Sequence, residues 1–324
     1  MYKISVVVPI YHIDDRLLEN AIMSLLDQDI DIEILLIDDG STDSNAQTCD
    51  KYSKSYSNIK VFHEKNNGVS VARNIGINNS HGEFIYFLDP DDKAIGSLKN
   101  IYYSAKALQS DVMFFNVALS TQKTVDLKKK PDYIFNNVDE QLSDTISIKY
   151  NPLFPGSIWG KLFRTDFINN NQIRFVPGIV KAQDRVFMID VYNCNPRMGK
   201  TDEYGYEYFV DNGSSICHKY NPKISDILCK TSCEIEKKID QKKNKNEFYQ
   251  MNIMFLFECV QLDFGSKSNP KTVKERSNEL KKLVSRYPFK ESLEKCSIKG
   301  MRKKCKLLVW LLRLRFYNLA LLVV

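Results

Sequence analysis

Phe84-Ile85-Tyr86-Phe87-Leu88-Asp89-Pro90-Asp91-Asp92 decides how this chain is read. An apolar, strand-forming run stops abruptly at Asp89, Asp91 and Asp92. Ionised carboxylates this close repel one another unless a cation or hydrogen-bond donors compensate them. Two carboxylates at the end of a buried strand, set apart by a stiff proline, can hold a hard divalent cation against a diphosphate. An acidic turn is the plain alternative, because Asp and Pro are ordinary turn formers. The neighbouring segments decide between these readings.

Upstream, residues 4–8 form a β-branched apolar run that reads as a fully buried parallel strand, ended by Pro9. Residues 17–26 have helical apolar spacing, with Asp14 or Asp15 placed to cap them. Residues 33–37 repeat the buried-strand pattern and close on Asp38-Asp39-Gly40-Ser41. A helix over 44–56, a strand over 59–62, a helix over 69–77 and a turn at Gly82 lead into the strand over 83–88. A helix over 97–108 and a strand over 112–116 follow. This alternation implies right-handed βαβ crossovers and a mainly parallel sheet flanked by helices. Ligands of such sheets collect at the carboxyl ends of the strands, where Pro9-Ile10-Tyr11, Asp38-Asp39-Gly40 and Asp89 to Asp92 all lie. No GxGxxG follows the first strand and no Walker sequence occurs, so dinucleotide and P-loop readings lose their weight.

Beyond the fifth strand the pattern loosens. Residues 121–150 are polar, carry Lys128-Lys129-Lys130 before Pro131, and read as a variable excursion. From residue 225 the chain turns helical, with an apolar stripe at Ile253-Met254-Phe255-Leu256-Phe257. The expected organisation is one domain over 1–220, with halves 1–116 and 117–220, and a helical C-terminal region over 221–324.

The composition, 43% apolar and 27% charged over 324 residues, is globular, and the net charge of +6 is modest. Its eight cysteines include no CxxC pair and no histidine at zinc-finger spacing. No signal-peptide pattern precedes the first strand, so a reducing, cytoplasmic setting with free cysteines is expected. Five basic residues lie within 299–306, ahead of a largely apolar run over 307–324 that Arg313 and Arg315 interrupt. Burying those arginines at a bilayer centre is costly. An in-plane helix on the inner face of the cell membrane fits better, and a terminal helix packed on the protein's own core is the alternative. Nucleic acid ranks last as a partner, because the basic stretches lack interleaved aromatics.

Taken together, these segments resemble family 2 glycosyltransferases of the GT-A fold, particularly the bacterial members that assemble polysaccharides. The match runs from Ile4-Ser5-Val6-Val7-Val8-Pro9-Ile10-Tyr11 through Ile37-Asp38-Asp39-Gly40-Ser41-Thr42-Asp43 and Asn67-Gly68-Val69-Ser70-Val71-Ala72-Arg73-Asn74-Ile75-Gly76 to Gly82-Glu83-Phe84 and the aspartates. A weaker block covers Trp159-Gly160-Lys161-Leu162-Phe163-Arg164, Ile173-Arg174-Phe175 and Gln183-Asp184-Arg185-Val186-Phe187.

The resemblance implies a UDP-sugar donor, a divalent metal (Mn²⁺ or Mg²⁺), a glycan acceptor on a lipid carrier, and inverting displacement. Asp91 is then the metal ligand, while Asp89 meets the ribose hydroxyls and assists at the metal. Asp92 faces the sugar or acceptor, or caps a turn. Asp39 resembles the carboxylate that accepts the uracil imide N–H, Tyr11 stacks on the base, and Pro9 shapes the loop beneath it. Asp14 reaches the nucleotide or caps its helix. Arg73 reaches the nucleotide or pairs with one of the aspartates. Asp184 is the general base, with Val180, Val186 and Phe187 as its apolar surround. Trp159 offers a platform for an acceptor sugar or positions the nearby loop. Lys161 and Arg164 contact acceptor phosphates or are solvated, and His218 either is a third metal ligand, as in some relatives, or is a surface or hydrogen-bonded histidine.

Two departures stand out: His12 replaces an asparagine, and Gln183 replaces the usual glutamate before the base. Gln183 alone favours the competing reading of a non-catalytic scaffold subunit that binds nucleotide sugar. A sugar-nucleotide pyrophosphorylase is a further rival, but its glycine- and arginine-rich phosphate loop is missing.

Overall fold

The computed structural model describes residues 2–121, 131–147, 153–210 and 219–323. Strand and helix alternate as β1 (Ile4–Ile10), α1 (Asp15–Leu26), β2 (Ile32–Asp38), α2 (Asn45–Ser55), β3 (Ile59–His63), α3 (Val69–Asn78), β4 (Phe84–Phe87), α4 (Leu98–Ala107) and β5 (Val112–Leu119). Then come β6 (Tyr133–Phe135), α5 (Val138–Ser147), β7 (Lys161–Arg164), α6 (Thr165–Asn170), α7 (Gln183–Asn193) and β8 (Met198–Tyr208). The strands make one eight-stranded sheet in the order β3-β2-β1-β4-β7-β5-β8-β6. The pairs β1·β2, β1·β4, β2·β3 and β5·β8 are parallel, while β7 lies antiparallel between β4 and β5.

Every residue of β1 and β2 is buried, which is why these strands read as continuous apolar runs rather than alternating ones. Leu18, Ala21, Ile22 and Leu25 form the buried face of α1 at helical spacing. Pro9 does not end β1 as expected. Val7 accepts from the Leu88 N–H, so odd positions of β1 face β4, whose register stops at Val7↔Phe87. Pro9 lies beyond that register, so its missing N–H costs no ladder bond and the strand continues to Ile10.

The excursion expected over 121–150 contains β6 and α5 in its described part. The chain divides into two compact units, Met1–Asp139 with Pro152–Val210, and Glu140–Asn151 with Asp211–Val324. The described residues 140–147 thus group with the helical unit.

The second unit continues with α8 (Ile224–Lys238), α9 (Lys245–Cys259), a π turn at Val260–Phe264, α10 (Val273–Val284), α11 (Phe289–Lys295), α12 (Lys303–Arg313) and α13 (Tyr317–Ala320). Helix α9 is buried nearly all round, through Phe248, Met251, Ile253, Phe255 and Leu256, and packs against α8, α11 and α12. A capping box of Thr272 and Glu275 starts α10. The described cysteines are all free.

Helix α3 rests on β1 through Gly76, where an added Cβ would lie 2.2 Å from Val7 Cγ1. That atom belongs to a core strand that cannot easily yield. Gly76→Ala is therefore expected to lower stability by about 1–3 kcal/mol in urea unfolding, the usual cost of overpacking. An unchanged midpoint would contradict this helix–strand contact.

Candidate active site

The site is built where the carboxyl ends of β1, β2 and β4 meet the start of α3 and the start of α7. The N-terminus of α3 is fixed from the neighbouring strand end. Asp39, buried after β2, accepts the Asn67 N–H and the Gly68 N–H through its two oxygens, each at 2.8 Å. Gly68 has φ +89°, a left-handed conformation that favours glycine.

One face of α3 then grips the segment leading into α7. The Ser70 hydroxyl donates to the Ile179 carbonyl, and Asn74 exchanges 2.8 Å hydrogen bonds with the backbone of Phe175. Arg73 lies between them, 3% exposed. Its guanidinium donates to Asp184 Oδ1 at 2.6 Å and to Asp89 Oδ1 at 2.8 Å, above the Phe175 ring. Both expected alternatives for Arg73 concerned one partner, but the structure gives it two aspartates at once. Its Nε is buried with no hydrogen-bond partner among the described residues.

Asp184 sits in the first turn of α7, preceded by Ala182 in the left-handed region at φ +58°. Burial raises its pKa, while the charges of Arg73 and Lys161 pull it down and Asp89 adds to the rise. Val186 and Phe187 are buried behind it as expected, but Val180 is 68% exposed and supplies no apolar cover.

Three carboxylates of the Asp89 to Asp92 turn have three environments. Asp89 is held by Arg73 and remains partly open to solvent. Asp91 receives no side-chain hydrogen bond among the described residues, and its pKa is raised first by burial and then by the charge of Asp89. Asp92 is buried and committed on both oxygens, accepting from Tyr206 Oη and, at 2.7 Å, from the Phe209 N–H. Burial pushes its pKa up to about 8. Its geometry is that of a post anchoring the turn to β8, not of a group turned toward a ligand.

Tyr206 is the residue that sequence reasoning missed. Besides bonding Asp92, it lies 3.4 Å from the Asp89 N–H and stacks against Trp159 with ring centroids 6.0 Å apart. The period-two spacing of Tyr204, Tyr206 and Tyr208 was its available signal. Trp159 also packs on Phe154 and lines a cleft of about 160 Å³ with Phe115, Asn116, Leu153 and Tyr204.

Of the remaining expected residues, Tyr11 is 49% exposed just beyond β1, its ring meeting His12 edge-on. Asp14 N-caps α1 by accepting the Arg16 N–H. Lys161 does not reach out to phosphates. It is fully buried in β7, donates to the Phe154 and Ser157 carbonyls at 3.0 and 2.8 Å, and has its pKa lowered to about 7 by burial. Arg164 donates to the Ser110 carbonyl and pairs with Glu83. His218 lies outside the described residues.

Among the described residues no three His, Cys, Asp or Glu side chains gather as a metal cluster. Asp91, unpaired beside Asp89, nevertheless suits a divalent cation completed by ligand oxygens, since Mg²⁺ is commonly held by one or two carboxylates plus phosphates.

A mainly parallel sheet with acidic strand ends and flanking helices is the GT-A fold of nucleotide-sugar transferases. Residues 5–163 match the family described as Glycosyl transferase family 2, and this part of the chain belongs to it. The chain is 30% identical over 237 residues to the cholesterol galactosyltransferase of Borreliella burgdorferi, covering 67% of this chain and 64% of that protein. It is 29% identical over 302 residues to the poly(ribitol-phosphate) beta-glucosyltransferase of Bacillus spizizenii, covering 88% of this chain and 44% of that one. The chain thus spans less than two thirds of the length of these relatives. The structure of S. aureus TarS 1–349 in complex with UDP-GlcNAc aligns with TM-score 0.65 at 20% identity, covering 99% of this chain and 90% of TarS 1–349.

The post-like role of Asp92 has a pH signature. Its carboxyl goes from a reference value of 3.8 to about 8, so between these limits the folded state holds the extra proton. Its contribution to stability is complete at low pH and is lost as pH rises through about 8. Asp92→Asn, which cannot ionise, should flatten that dependence in thermal melts, whereas Asp92→Ala should cost about 1–3 kcal/mol by stranding its buried donors. Equal melting of Asp92→Ala and wild type would contradict the assignment.

Proposed function

We propose that this chain transfers a sugar from a UDP-sugar to a hydroxyl of a glycan acceptor on a lipid carrier, in bacterial polysaccharide assembly. The reaction is metal dependent and inverts the anomeric carbon by direct displacement. The observation that carries this reading is Arg73, which joins a carboxylate of the acidic strand-end turn to a carboxylate of the opposite segment. Donor and acceptor chemistry need these two groups within reach of one sugar.

In this reading Asp91 and Asp89 would hold the cation. When bound, Mn²⁺ or Mg²⁺ supplies neutralisation of the departing diphosphate. Asp39 spends two acceptor sites on backbone N–H groups, and a carboxylate offers about four, so a site remains for the uracil imide N–H. Tyr11 is free to lie over the base, and Asp89 meets the ribose. Asp184 accepts the proton of the acceptor hydroxyl while Trp159 forms one wall of the acceptor site. Gln183 leaves that carboxylate in place, so the chain is read as an active enzyme rather than a binding scaffold. The protein works on the cytoplasmic side, at the inner face of the cell membrane.

Measured UDP release from a UDP-sugar should vanish with chelator and with Asp91→Ala. Asp184→Asn should lower acceptor-dependent turnover about 10²–10⁴-fold, the range of a lost general base. Retained turnover in both variants would refute the reading, and UDP binding without any release would favour the scaffold.

The base works deprotonated, so turnover should rise with pH through the raised pKa of Asp184. Arg73→Gln removes the main charge holding that pKa down and should move the acid limb to higher pH. An unmoved limb in a folded variant would separate Arg73 from the base.

A further inference from the structure

The C-terminal helices present an apolar face that the helical unit does not use. Cys305, Leu308, Val309, Leu311 and Leu312 of α12 are buried, with α12 packed on α9 and α11. The opposite side shows Leu307, Trp310 and Leu314, exposed by 48%, 56% and 48%, at i, i+3, i+7 spacing. Phe316 continues this face through a ring contact with Trp310, and Leu319 and Leu322, further along the chain, are also exposed.

The surrounding charge is of one sign. No Asp or Glu follows Glu294, while Arg302, Lys303, Lys304, Lys306 and Arg315 cluster around the face. Arg302, Lys303, Lys304 and Arg315 are exposed and Lys306 is half-buried; none of the five pairs with a carboxylate among the described residues. Arg313 is different: its guanidinium donates to the Leu293 and Cys296 carbonyls at 2.7 and 3.0 Å, which pins α12 to its own unit. Its guanidinium is thus committed to the backbone of the same unit. No described helix is long and apolar enough to cross a membrane.

We propose that this face, centred on Trp310, docks in the plane of an anionic lipid surface, with its apolar row in the acyl boundary and the five free cations on head-group phosphates. The charge selects the occupant. A second copy of the same face would bring two uncompensated cationic rims together, whereas anionic lipid neutralises them. A Trp amid Leu and Phe, bordered by Lys and Arg, is the composition of an interfacial helix. The proposal deepens the membrane placement in the functional reading above and rests on it only for its biological sense, since lipid binding is measured without turnover.

The test is co-sedimentation of the full chain with phosphatidylglycerol-containing vesicles and with pure phosphatidylcholine vesicles. Binding is expected to the anionic vesicles, to weaken with salt, and to blue-shift tryptophan emission in wild type but not in Trp310→Phe. Leu307→Gln/Trp310→Gln/Leu314→Gln alters exposed positions only, and should reduce vesicle binding about ten-fold or more while leaving UDP release in solution intact. No binding to anionic vesicles, or equal binding by the triple variant, would overturn the proposal. So would a solution dimer that the triple variant dissociates without any change in lipid binding. Failure of UDP release alone would count against the enzymatic reading and leave the docking result standing.

Discussion

The active-site half of the first unit depends on the buried guanidinium of Arg73. It spans two aspartates separated by the width of the site, Asp89 after β4 and Asp184 at the head of α7. Taking such a group out of water is costly, and only the two carboxylates with good geometry offset it. Removing one partner of a buried pair typically costs about 3–5 kcal/mol, because the remaining charge is stranded. The same bonds compensate both acids: Asp89, which has Asp91 as a like-charged neighbour, and Asp184, whose pKa burial raises and Arg73 pulls down. In the proposed reading, stability and chemistry are thus tied to one side chain.

Helix α3 explains how that side chain is delivered. Asp39 fixes the first turn, Gly76 lets the helix approach β1, and Ser70, Arg73 and Asn74 fall on one face at i, i+3, i+4. Three of these residues grip backbone or carboxylate from the 175–184 segment. The run from Asn67 to Gly76 therefore works as a single bracket between two parts of the sheet unit that are about a hundred residues apart in sequence.

This also accounts for what was legible. The first five strands and four helices could be read because each alternates with the next and buries itself locally, so periodicity carries the information. The sheet's second part could not, because β7 arrives late in the chain yet inserts antiparallel between β4 and β5. Nothing in the local pattern of Lys161 to Arg164 announces that position. Lys161 looked like a surface cation because lysines mostly are, and only the carbonyls of the preceding loop reveal its burial. Asp92 was ambiguous for the same reason: its partners Tyr206 and Phe209 lie more than a hundred residues away. The cluster of aspartates was visible in sequence, but its division of labour was set by contacts that are not local.

The replacement of glutamate by Gln183 can be weighed in these terms. A second carboxylate beside Asp184 would raise the pKa of the pair, because two anions in one half-buried place resist ionising together. With an uncharged neighbour at 183, the like charge of Asp89 acts on Asp184 against Arg73 in direct contact and Lys161. The N-terminal end of α7 adds a further favourable field for an anion in its first turn. An uncharged neighbour therefore eases ionisation of Asp184, the group proposed as the base. Arg73 can satisfy Asp184 and Asp89 with its two terminal nitrogens and needs no third carboxylate for that bridge.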